Sequence, residues 1–403
     1  MLETTTKYKD TPIGKIPVDW EVKKLGDLGS IISGLTYSPE NVSEVNGVLV
    51  LRSPNVQDRQ LVFDDNVFVN VLNGNFNPVQ KNDILICVRN GSKNLIGKNA
   101  LITKEIEGVA FGAFMAIFRS DLNNFLFQIF GTDLYKKEIH KNLGATINSI
   151  NGSELKQFKI PLPPLPEQQK IAEVLSTWDK AIKETSSIIK SLEKRNKALA
   201  LSLFQNKEWS NNQIKDLFVR ITDKNVENNK TVTTISAKRG FIRQEDFFNK
   251  TVASEVLTNY YLIDRGDFCY NKSYSKGYDW GVVKRLNDFD KAVVTTLYIC
   301  FRLAASNQNS DFWELYFSSG ILDRGLSKVA HEGGRAHGLL NVTSGDFFSL
   351  KVAVPSLKEQ TKIAEILKTA NNELQQYQQK LNNLKTQKKG LMQQLLTGKV
   401  RTV

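Results

Sequence analysis

The sequence LPPLPEQQKIAEVLSTW at residues 162–178 decides the fold, because the chain repeats it as VPSLKEQTKIAEILKTA at residues 354–370. Glu167 recurs as Glu359, a shift of 192 residues, and the same shift aligns about forty residues without a gap. A similarity of this length between distant parts of one chain indicates a duplicated structural unit. A duplicated unit usually meets a two-fold or bipartite partner.

The duplication extends beyond this stretch. Four residues recur 189 positions later: Trp20, Leu25, Asp27 and Leu28 correspond to Trp209, Ile214, Asp216 and Leu217. Asp83 corresponds to Asp267, and the strand-like run FMAIFR, ending at Arg119, corresponds to LYICFR, ending at Arg302. We therefore predict five segments: an N-terminal arm at 1–14, globular domains at 15–160 and 206–352, and long helices at 161–205 and 353–403.

Both helical stretches carry apolar residues at seven-residue steps in two series offset by four, which is the seam pattern of a coiled coil. The predicted seam includes Ile171, Leu192, Leu199, Ile363, Leu384 and Leu391. Asn196 and Lys388 hold one equivalent seam position, which is polar in both copies. Ser356 and Glu359 form a capping-box pattern at the start of the second helix. Since neither helix would stay folded alone with so apolar a stripe, we expect the two to pack against each other.

Each globular domain alternates short β-rich runs with Gly/Asn turns and ends in an aromatic helical stretch. We therefore predict an α+β fold in which each domain has a curled, mainly antiparallel sheet plus helices. The whole chain would hold two similar domains separated by two long antiparallel coiled-coil helices, related by an internal pseudo-two-fold repeat.

The charge of the chain favours an acidic partner. Its 403 residues carry a formal net charge of +12, and nucleic acid is the commonest partner of such a chain. Residues 353–403 hold 9 Lys/Arg against 3 Asp/Glu, whereas the globular domains are close to neutral. No apolar run approaches the ~18 residues that a membrane span needs. Cys87, Cys269 and Cys300 lie in apolar runs without a CxxC pair, so we expect buried thiols in a reducing cytoplasm.

The sequence contains no motif for catalysis or for metal binding. The stretch from Gly91 to Lys98 lacks the spacing of a phosphate-binding loop, and His140, His331 and His337 share no metal-ligand spacing. Neither a nucleophile elbow nor a [DNS]-P-P-[FYW] amino-methyltransferase motif occurs. Carboxylates distant in sequence could still assemble a nuclease, but no pattern favours one. We expect no catalytic residue, metal or cofactor on this chain.

The loops of both domains are rich in side chains that donate hydrogen bonds to phosphates and base edges. In the first domain these candidate DNA-binding residues are Arg52, Asn55, Arg59, Arg89, Asn90, Ser92, Lys93 and Asn94. In the second they are Lys238, Arg239, Arg243, Lys272, Ser273, Tyr274, Lys276, Tyr278 and Arg335. Any one of them is compatible with an ordinary polar surface loop. Their concentration in corresponding, divergent loops of both repeats favours a binding function.

The repeated helix starts EQQKIAEVL and EQTKIAEIL, the ending KTQKKGLMQQLLTGKVR and the opening IPVDWEVKKLGDL resemble the specificity subunit of type I restriction–modification systems. The resemblance implies that each globular unit is a target-recognition domain that reads one half of a bipartite DNA site. It also implies that the helices space these domains and dock two methyltransferase subunits. The helix positions that match the family's motif include Glu167, Gln168, Ile171, Glu359, Gln360 and Ile363.

In this family, adenine methylation and ATP-dependent cleavage belong to the modification and motor-nuclease subunits. S-adenosylmethionine, ATP and Mg²⁺ are therefore expected on those partners. The central helix departs from the family's ending, reading NKALALSLFQNK at residues 196–207.

Three other hypotheses remain at this point. The same subunit could serve a fused nuclease–methyltransferase polypeptide. The chain could instead be a coiled-coil scaffold whose globular units bind protein, or an enzyme with its own site. The donor-rich, unequal loops argue against a scaffold, and the missing motifs argue against an enzyme.

Overall fold

The sequence repeat produces two units with the same architecture. The computed structural model describes residues 7–43, 47–71, 76–143, 148–205, 208–248, 256–275, 277–330, 338 and 340–402. The first unit comprises Met1–Ser186 with Lys380–Val403, and the second comprises Ser187–Gln379. Each unit thus contains one globular domain and one part of each long helix.

The first globular domain consists of short strands followed by helices. Its strands are β1 (Tyr8–Thr11), β2 (Gly14–Pro17), β3 (Glu21–Lys24), β4 (Ser30–Ser33), β5 (Val42–Ser43), β6 (Val48–Leu51), β7 (Val56–Gln57), β8 (Gln60–Leu61), β9 (Phe68–Val69), β10 (Ile84–Cys87), β11 (Asn99–Leu101), β12 (Ala110–Phe111), β13 (Met115–Arg119) and β14 (Lys159–Leu162). Its helices are α1 (Asn123–Ile129), α2 (Asp133–Asn142) and α3 (Gly152–Lys156), and the long helix α4 (Leu165–Phe204) follows.

The second globular domain has strands β15 (Ser210–Gln213), β16 (Phe218–Ile221), β17 (Thr233–Ser236), β18 (Gly240–Arg243), β19 (Tyr261–Asp264), β20 (Phe268–Asn271), β21 (Val282–Arg285), β22 (Lys291–Val294), β23 (Ile299–Leu303) and β24 (Lys351–Val354). Its helices are α5 (Ile214–Leu217), α6 (Gln244–Phe248), α7 (Ser310–Ser318), α8 (Asp323–Val329) and α9 (Ser344–Ser349), and the long helix α10 (Leu357–Leu395) follows.

The central sheets of the two units have the same strand order. The first runs β11-β10-β13-β4 and the second β21-β20-β23-β16, with every neighbouring pair antiparallel. Strand β3 pairs with β14 before α4, and β15 pairs with β24 before α10. The α+β fold with similar, mainly antiparallel domains predicted from the sequence is therefore confirmed.

An ion pair with a buried carboxylate is repeated at the same end of the two central strands in each sheet. Arg119 donates two hydrogen bonds to Asp83, at 2.9 and 2.7 Å, and Asp83 is only 2 % exposed. Arg302 donates to Asp267 at 2.7 Å in the second unit. Burial raises the pKa of Asp267, and the arginine opposes that shift. These four residues correspond in the sequence repeat, which explains why the repeat is visible there.

The starts of α4 and α10 are built alike. The Gln168 side chain donates to the Pro163 carbonyl at 2.7 Å, and Gln360 donates to the Pro355 carbonyl at 3.0 Å. At the start of α10, Glu359 accepts from the Ser356 backbone N–H at 3.0 Å and donates its own N–H to the Ser356 hydroxyl at 3.4 Å. The predicted capping box is confirmed.

The long helices pack antiparallel, as the seam pattern predicts. In the first unit, the Lys388 ammonium on α10 lies 2.5 Å from Asp179 on α4. In the second unit, Asn196 on α4 donates to the Ala370 carbonyl on α10 at 2.9 Å. The two polar seam residues thus have specific partners on the facing helix, which fixes register at some cost in stability.

Seam residues differ in how deeply they are buried. Ile171, Leu192 and Ile363 are 0 %, 8 % and 7 % exposed, respectively. Leu199, Leu384 and Leu391 are half-buried. The seam therefore combines deep and partly solvated positions.

The cores of the two units place the repeated aromatic residues alike. Trp20 is fully buried beside Leu25 in the first unit, and Trp209 is 9 % exposed beside Ile214 in the second. Cys87, Cys269 and Cys300 are buried free thiols, as predicted. No helix in the described part of the chain is long and apolar enough to cross a membrane.

Candidate nucleic-acid interface

In the first unit, hydrogen bonds gather three loops at the end of β10. The Asn90 side chain donates to the Ser53 hydroxyl at 2.9 Å, which joins the loop after β10 to the loop after β6. The Asn148 side chain donates to the Gly91 carbonyl at 2.9 Å and brings in the loop that precedes α3. These bonds hold neighbouring loops as one surface, which we call the first loop surface.

The first loop surface presents unpaired donors to solvent. Arg89, Ser92, Lys93 and Asn94 are all exposed, and neither Arg89 nor Lys93 has a carboxylate within ion-pair distance in the described part of the chain. The Arg89 guanidinium lies 5.6 Å from the centroid of the Phe114 ring, and Phe114 is 56 % exposed. Free guanidinium and ammonium groups suit phosphates and guanine edges, and an exposed ring can contact a base or a methyl group. Phe114 was not among the residues predicted from the sequence, although it directly follows a Gly-Ala turn in a strand-rich segment.

Two of the predicted DNA-binding residues, Asn55 and Arg59, have structural roles instead. Asn55 is fully buried; its side chain donates to the Val62 carbonyl at 3.0 Å and accepts from the Arg52 backbone N–H at 2.9 Å. Asn55 is therefore unable to reach DNA, because its buried side chain forms hydrogen bonds within its own loop. Arg52 keeps a partly exposed side chain but is paired with Asp65 at 2.8 Å.

The side chain of Arg59 is also directed into the protein. It donates to Asn99 at 2.8 Å and to the Phe127 carbonyl, and its guanidinium lies 3.9 Å from the centroid of the Phe127 ring. Burial lowers the pKa of Arg59 to about 10, so the side chain remains charged at neutral pH. Asp58 and Arg59 form the turn between β7 and β8, with φ values of 47° and 61°. The predictions for Asn55 and Arg59 are therefore corrected: these residues order the domain.

In the second unit, the corresponding loop follows β20. The Tyr274 backbone N–H donates to the Gly338 carbonyl at 2.7 Å, and the Leu340 N–H donates to the Lys272 carbonyl at 2.9 Å. Tyr274 is 56 % exposed, whereas Tyr278 is half-buried against the core. Ser273 is half-buried and its backbone N–H donates to Asn271 at 3.1 Å.

Lys272 differs from the exposed lysines because its ammonium donates to the Val342 carbonyl at 3.2 Å. The predicted residues Lys276 and Arg335 lie outside the described residues, as do His331 and His337.

The hairpin β17–β18 adds cations to the second unit. Lys238 and Arg239 are exposed at its turn, and Arg243 is exposed at its end, 4.0 Å from Glu245. The Asn271 side chain donates to the Ile235 carbonyl at 3.4 Å, which links this hairpin to the end of β20. The loop after β20 and this hairpin together form the second loop surface, at the strand end equivalent to that of the first.

The family residues at the helix starts are mostly buried within their own units. Glu167 is fully buried; it accepts from the Trp20 indole at 2.9 Å and from Arg401 at 2.8 Å. Gln168 and Gln360 are 5 % and 0 % exposed. These residues, with Ile171 and Ile363, attach the globular domains to the helices, which fits the predicted helix seam, and docking of a partner subunit at the helix starts stays a prediction. Glu359 alone among them is exposed, and it serves the helix cap.

The described residues include no group of three or more His, Cys, Asp or Glu side chains that could hold a metal ion.

Comparisons with known proteins agree with this geometry. The model of the type I restriction modification DNA specificity domain matches the chain twice, at residues 17–194 and 206–386. A putative type I restriction enzyme specificity subunit (MjaX) from Methanocaldococcus jannaschii is 27 % identical over 98 % of this chain and 96 % of its own length. The EcoKI specificity subunit of Escherichia coli K12 is 31 % identical, over 41 % of this chain and 37 % of its own length.

Among solved structures, the specificity subunit of the type I system from M. genitalium superposes with a TM-score of 0.58 at 16 % identity. The match covers 98 % of this chain and 97 % of that one, and it shows that the folds agree. Since the family model matches both repeats over most of the chain, the chain belongs to the type I restriction–modification DNA specificity family.

Proposed function

We propose that each globular domain reads one half of a bipartite, asymmetric DNA site on behalf of a type I restriction–modification complex. As a member of this family, the chain is the DNA-recognition component of the complex and not a catalytic subunit. Adenine methylation and ATP-dependent restriction then belong to partner subunits, which would carry S-adenosylmethionine, ATP and Mg²⁺.

The observation that carries this proposal is that one sheet order presents two different loop surfaces. The strand order around β10 equals that around β20, yet the following loops read RNGSKN and KSYSKGY. Arg89, Lys93 and Phe114 dominate the first loop surface, and Tyr274 and Arg239 are exposed on the second. Different side chains at equivalent places recognise different base sequences. The two half-sites should therefore differ.

A domain exchange tests this proposal. Replacing residues 15–160 by the equivalent segment of another specificity subunit should change one half-site and leave the other intact. Exchanging residues 206–352 is the reciprocal control and should change only the other half-site. The readout is mapping of methylated adenines by long-read sequencing in cells that carry the complete system. Alteration of both halves by either exchange would contradict the proposal.

We further propose that two modification subunits dock on an exposed surface repeated on the two long helices. Leu165 at the start of α4 is 53 % exposed, and its equivalent at the start of α10, Leu357, is 46 % exposed. Charged residues at equivalent positions flank both leucines and are also exposed: Lys170 and Glu173 on α4, Lys362 and Glu365 on α10.

An apolar side chain left open at the same place in both repeats fits two copies of one partner. Motor-nuclease subunits would join the complex thus formed.

Two alternative functions make different predictions. A fused nuclease–methyltransferase partner would use the same loop surfaces, and neighbouring genes distinguish it from separate subunits. A protein-binding scaffold would show no DNA binding, whereas the proposed function requires DNA affinity that falls steeply with salt.

A further inference from the structure

The first unit contains a large cavity that neither DNA reading nor partner docking explains. Its volume is about 870 Å³, within the range of ligand pockets. It lies between the β7–β8 hairpin, the start of α2 and the facing parts of α4 and α10. Apolar side chains form much of its wall, including Leu61, Phe127, Ile182, Met392 and Leu396.

Cations surround this cavity in excess. Among the residues that the structure describes, eight lysines and arginines line it against three aspartates. Two of those aspartates are already paired, Asp179 with Lys388 at 2.5 Å and Asp133 with Lys136 at 3.3 Å. The remaining cations that line it are Lys15, Arg59, Lys180, Lys183, Lys385 and Lys389, and none has a carboxylate within ion-pair distance in the described part of the chain. Like charges around one cavity repel each other, so an anion inside it would be stabilised.

Arg59 places part of this charge in the cavity wall. Within the described part of the chain, its guanidinium bonds to the neutral oxygens of Asn99 and Phe127, and no carboxylate there lies within ion-pair distance of it. Both bonds and the Phe127 ring hold it rigidly. A fixed guanidinium beside an apolar wall loses little entropy when it binds an anionic group.

The second repeat lacks most of this charge pattern at equivalent positions. At the 192-residue shift, Lys180 corresponds to Asn372, Lys183 to Gln375 and Lys385 to Glu193, whereas Lys389 corresponds to a lysine, Lys197. The Lys388–Asp179 pair corresponds to Asn196 and Asn371, which share a neutral hydrogen bond of 3.4 Å. Two copies of one docking subunit would need the same features on both repeats. The cavity therefore suits a ligand that binds once per chain.

We propose that this cavity binds one amphiphilic organic anion, with an apolar or aromatic body on the Leu61–Phe127–Ile182 wall and an anionic head among the lysines. The head group is a phosphate, sulfonate or carboxylate, since all three meet ammonium and guanidinium donors in the same way. A nucleoside phosphate and a fatty acid share this chemistry, and the experiment separates them.

The test uses 8-anilinonaphthalene-1-sulfonate, an aromatic anion whose fluorescence rises in apolar surroundings, with the full-length chain. Binding should be saturable at one site per chain. The charge-reversal variant Lys183→Glu/Lys385→Glu should bind about tenfold more weakly, because two cations at the rim become anions. Met392→Trp should also weaken binding, because the larger ring occupies part of the apolar wall, where Met392 lies next to Gly131.

The matched control is Lys190→Glu/Lys358→Glu, which makes the same charge change with exposed lysines of the same two helices outside the cavity. It should bind like the wild type, and all variants should keep the wild-type circular dichroism and melting temperature. Met392→Trp retains every lysine, so it still tests the site if charge reversal destabilises the chain.

Competition then identifies the ligand class. Displacement of the dye by adenosine 5′-monophosphate but not by laurate assigns a nucleoside phosphate, and the reverse assigns a fatty acid. Equal dye affinity in the wild type, the charge-reversal variant and Met392→Trp would overturn the proposal. Displacement only by a DNA duplex, or only by the modification subunit, would overturn it as well, because the cavity would then belong to one of those interfaces.

Discussion

At the residue scale, identical side chains on these loops have opposite roles, and their partners decide which role each has. Arg89 is exposed beside the Phe114 ring and has no carboxylate partner in the described part of the chain, so its donors are available to DNA. Arg59 uses its donors on Asn99 and Phe127, so it orders the domain. Residue type alone therefore does not identify a base-reading arginine.

Substitution of Arg89 by alanine should weaken binding of the complex to its own DNA site. A bidentate contact with guanine would cost about 1–3 kcal/mol and relax specificity at one position. A phosphate contact would instead weaken all sequences alike and reduce the salt slope by about one. Binding to duplexes with single base changes, measured across a salt series, separates these outcomes.

Arg220→Ala is the matched control for Arg89→Ala, because Arg220 is an exposed arginine of the second unit on strand β16, outside both loop surfaces. Its affinity should equal that of the wild type. Unchanged affinity and specificity for Arg89→Ala would remove Arg89 from the interface.

At the element scale, the long helices have two distinct faces. The inner face holds the seam and the buried attachment residues Glu167 and Gln168, and the outer face leaves Leu165 and Leu357 open at equivalent positions. The repeated sequence pointed to Glu167 and Gln168, whereas Leu165 and Leu357 were not predicted from it. The sequence did not show which side chains are buried and which are exposed. Glu167, for example, is charged and yet fully buried against Trp20 and Arg401. Polarity predicts exposure poorly where a buried charge has partners.

Replacement of Leu165 by glutamate should remove one docked modification subunit, and Leu357→Glu should remove the other. A charge placed in an apolar contact must be desolvated, which costs several kcal/mol of association energy. Light scattering of the assembled complex should fall from two modification subunits per chain to one for each single variant and to none for the double variant.

Ser187→Glu supplies the control for these leucine variants. It introduces the same charge at an exposed position of α4 away from the helix start, and the stoichiometry should stay at two. Retention of both subunits by the double leucine variant would move the docking site elsewhere.

At the scale of the whole molecule, the sequence predicted the architecture but not the functional detail within it. A shift of 192 residues identified the repeat, and the corresponding pairs Asp83–Arg119 and Asp267–Arg302 proved to be equivalent ion pairs in equivalent sheets. Regular elements impose a period on the sequence, so periodicity reports their buried faces. Loops have no such period, so the burial of the Asn55 side chain could not be predicted from the sequence.

The cavity of the first unit could not be predicted from the sequence for another reason. Most of its lysines lie on the two long helices, whose facing residues are about two hundred positions apart in the sequence, as Lys183 and Lys385 are. Only the antiparallel register of α4 and α10 brings such residues to one site. The same register governs how the helices can be lengthened.

The proposed bipartite reading predicts that the length of both helices sets the gap between the half-sites. An insertion of seven residues after Ser186 in α4 and another after Gln379 in α10 preserves the heptad seam, because seven is its repeat. Each insertion adds about 10 Å at 1.5 Å per residue, which equals about three base pairs at 3.4 Å each. Methylation mapping should show unchanged half-sites with a gap longer by about three base pairs. The same insertion in α10 alone is the control; it shifts α10 against α4, breaks facing pairs such as Asn196 with Ala370, and should abolish assembly. A double insertion that assembles and still methylates sites with the original gap would show that the partner subunits, and not the helices, set the spacing.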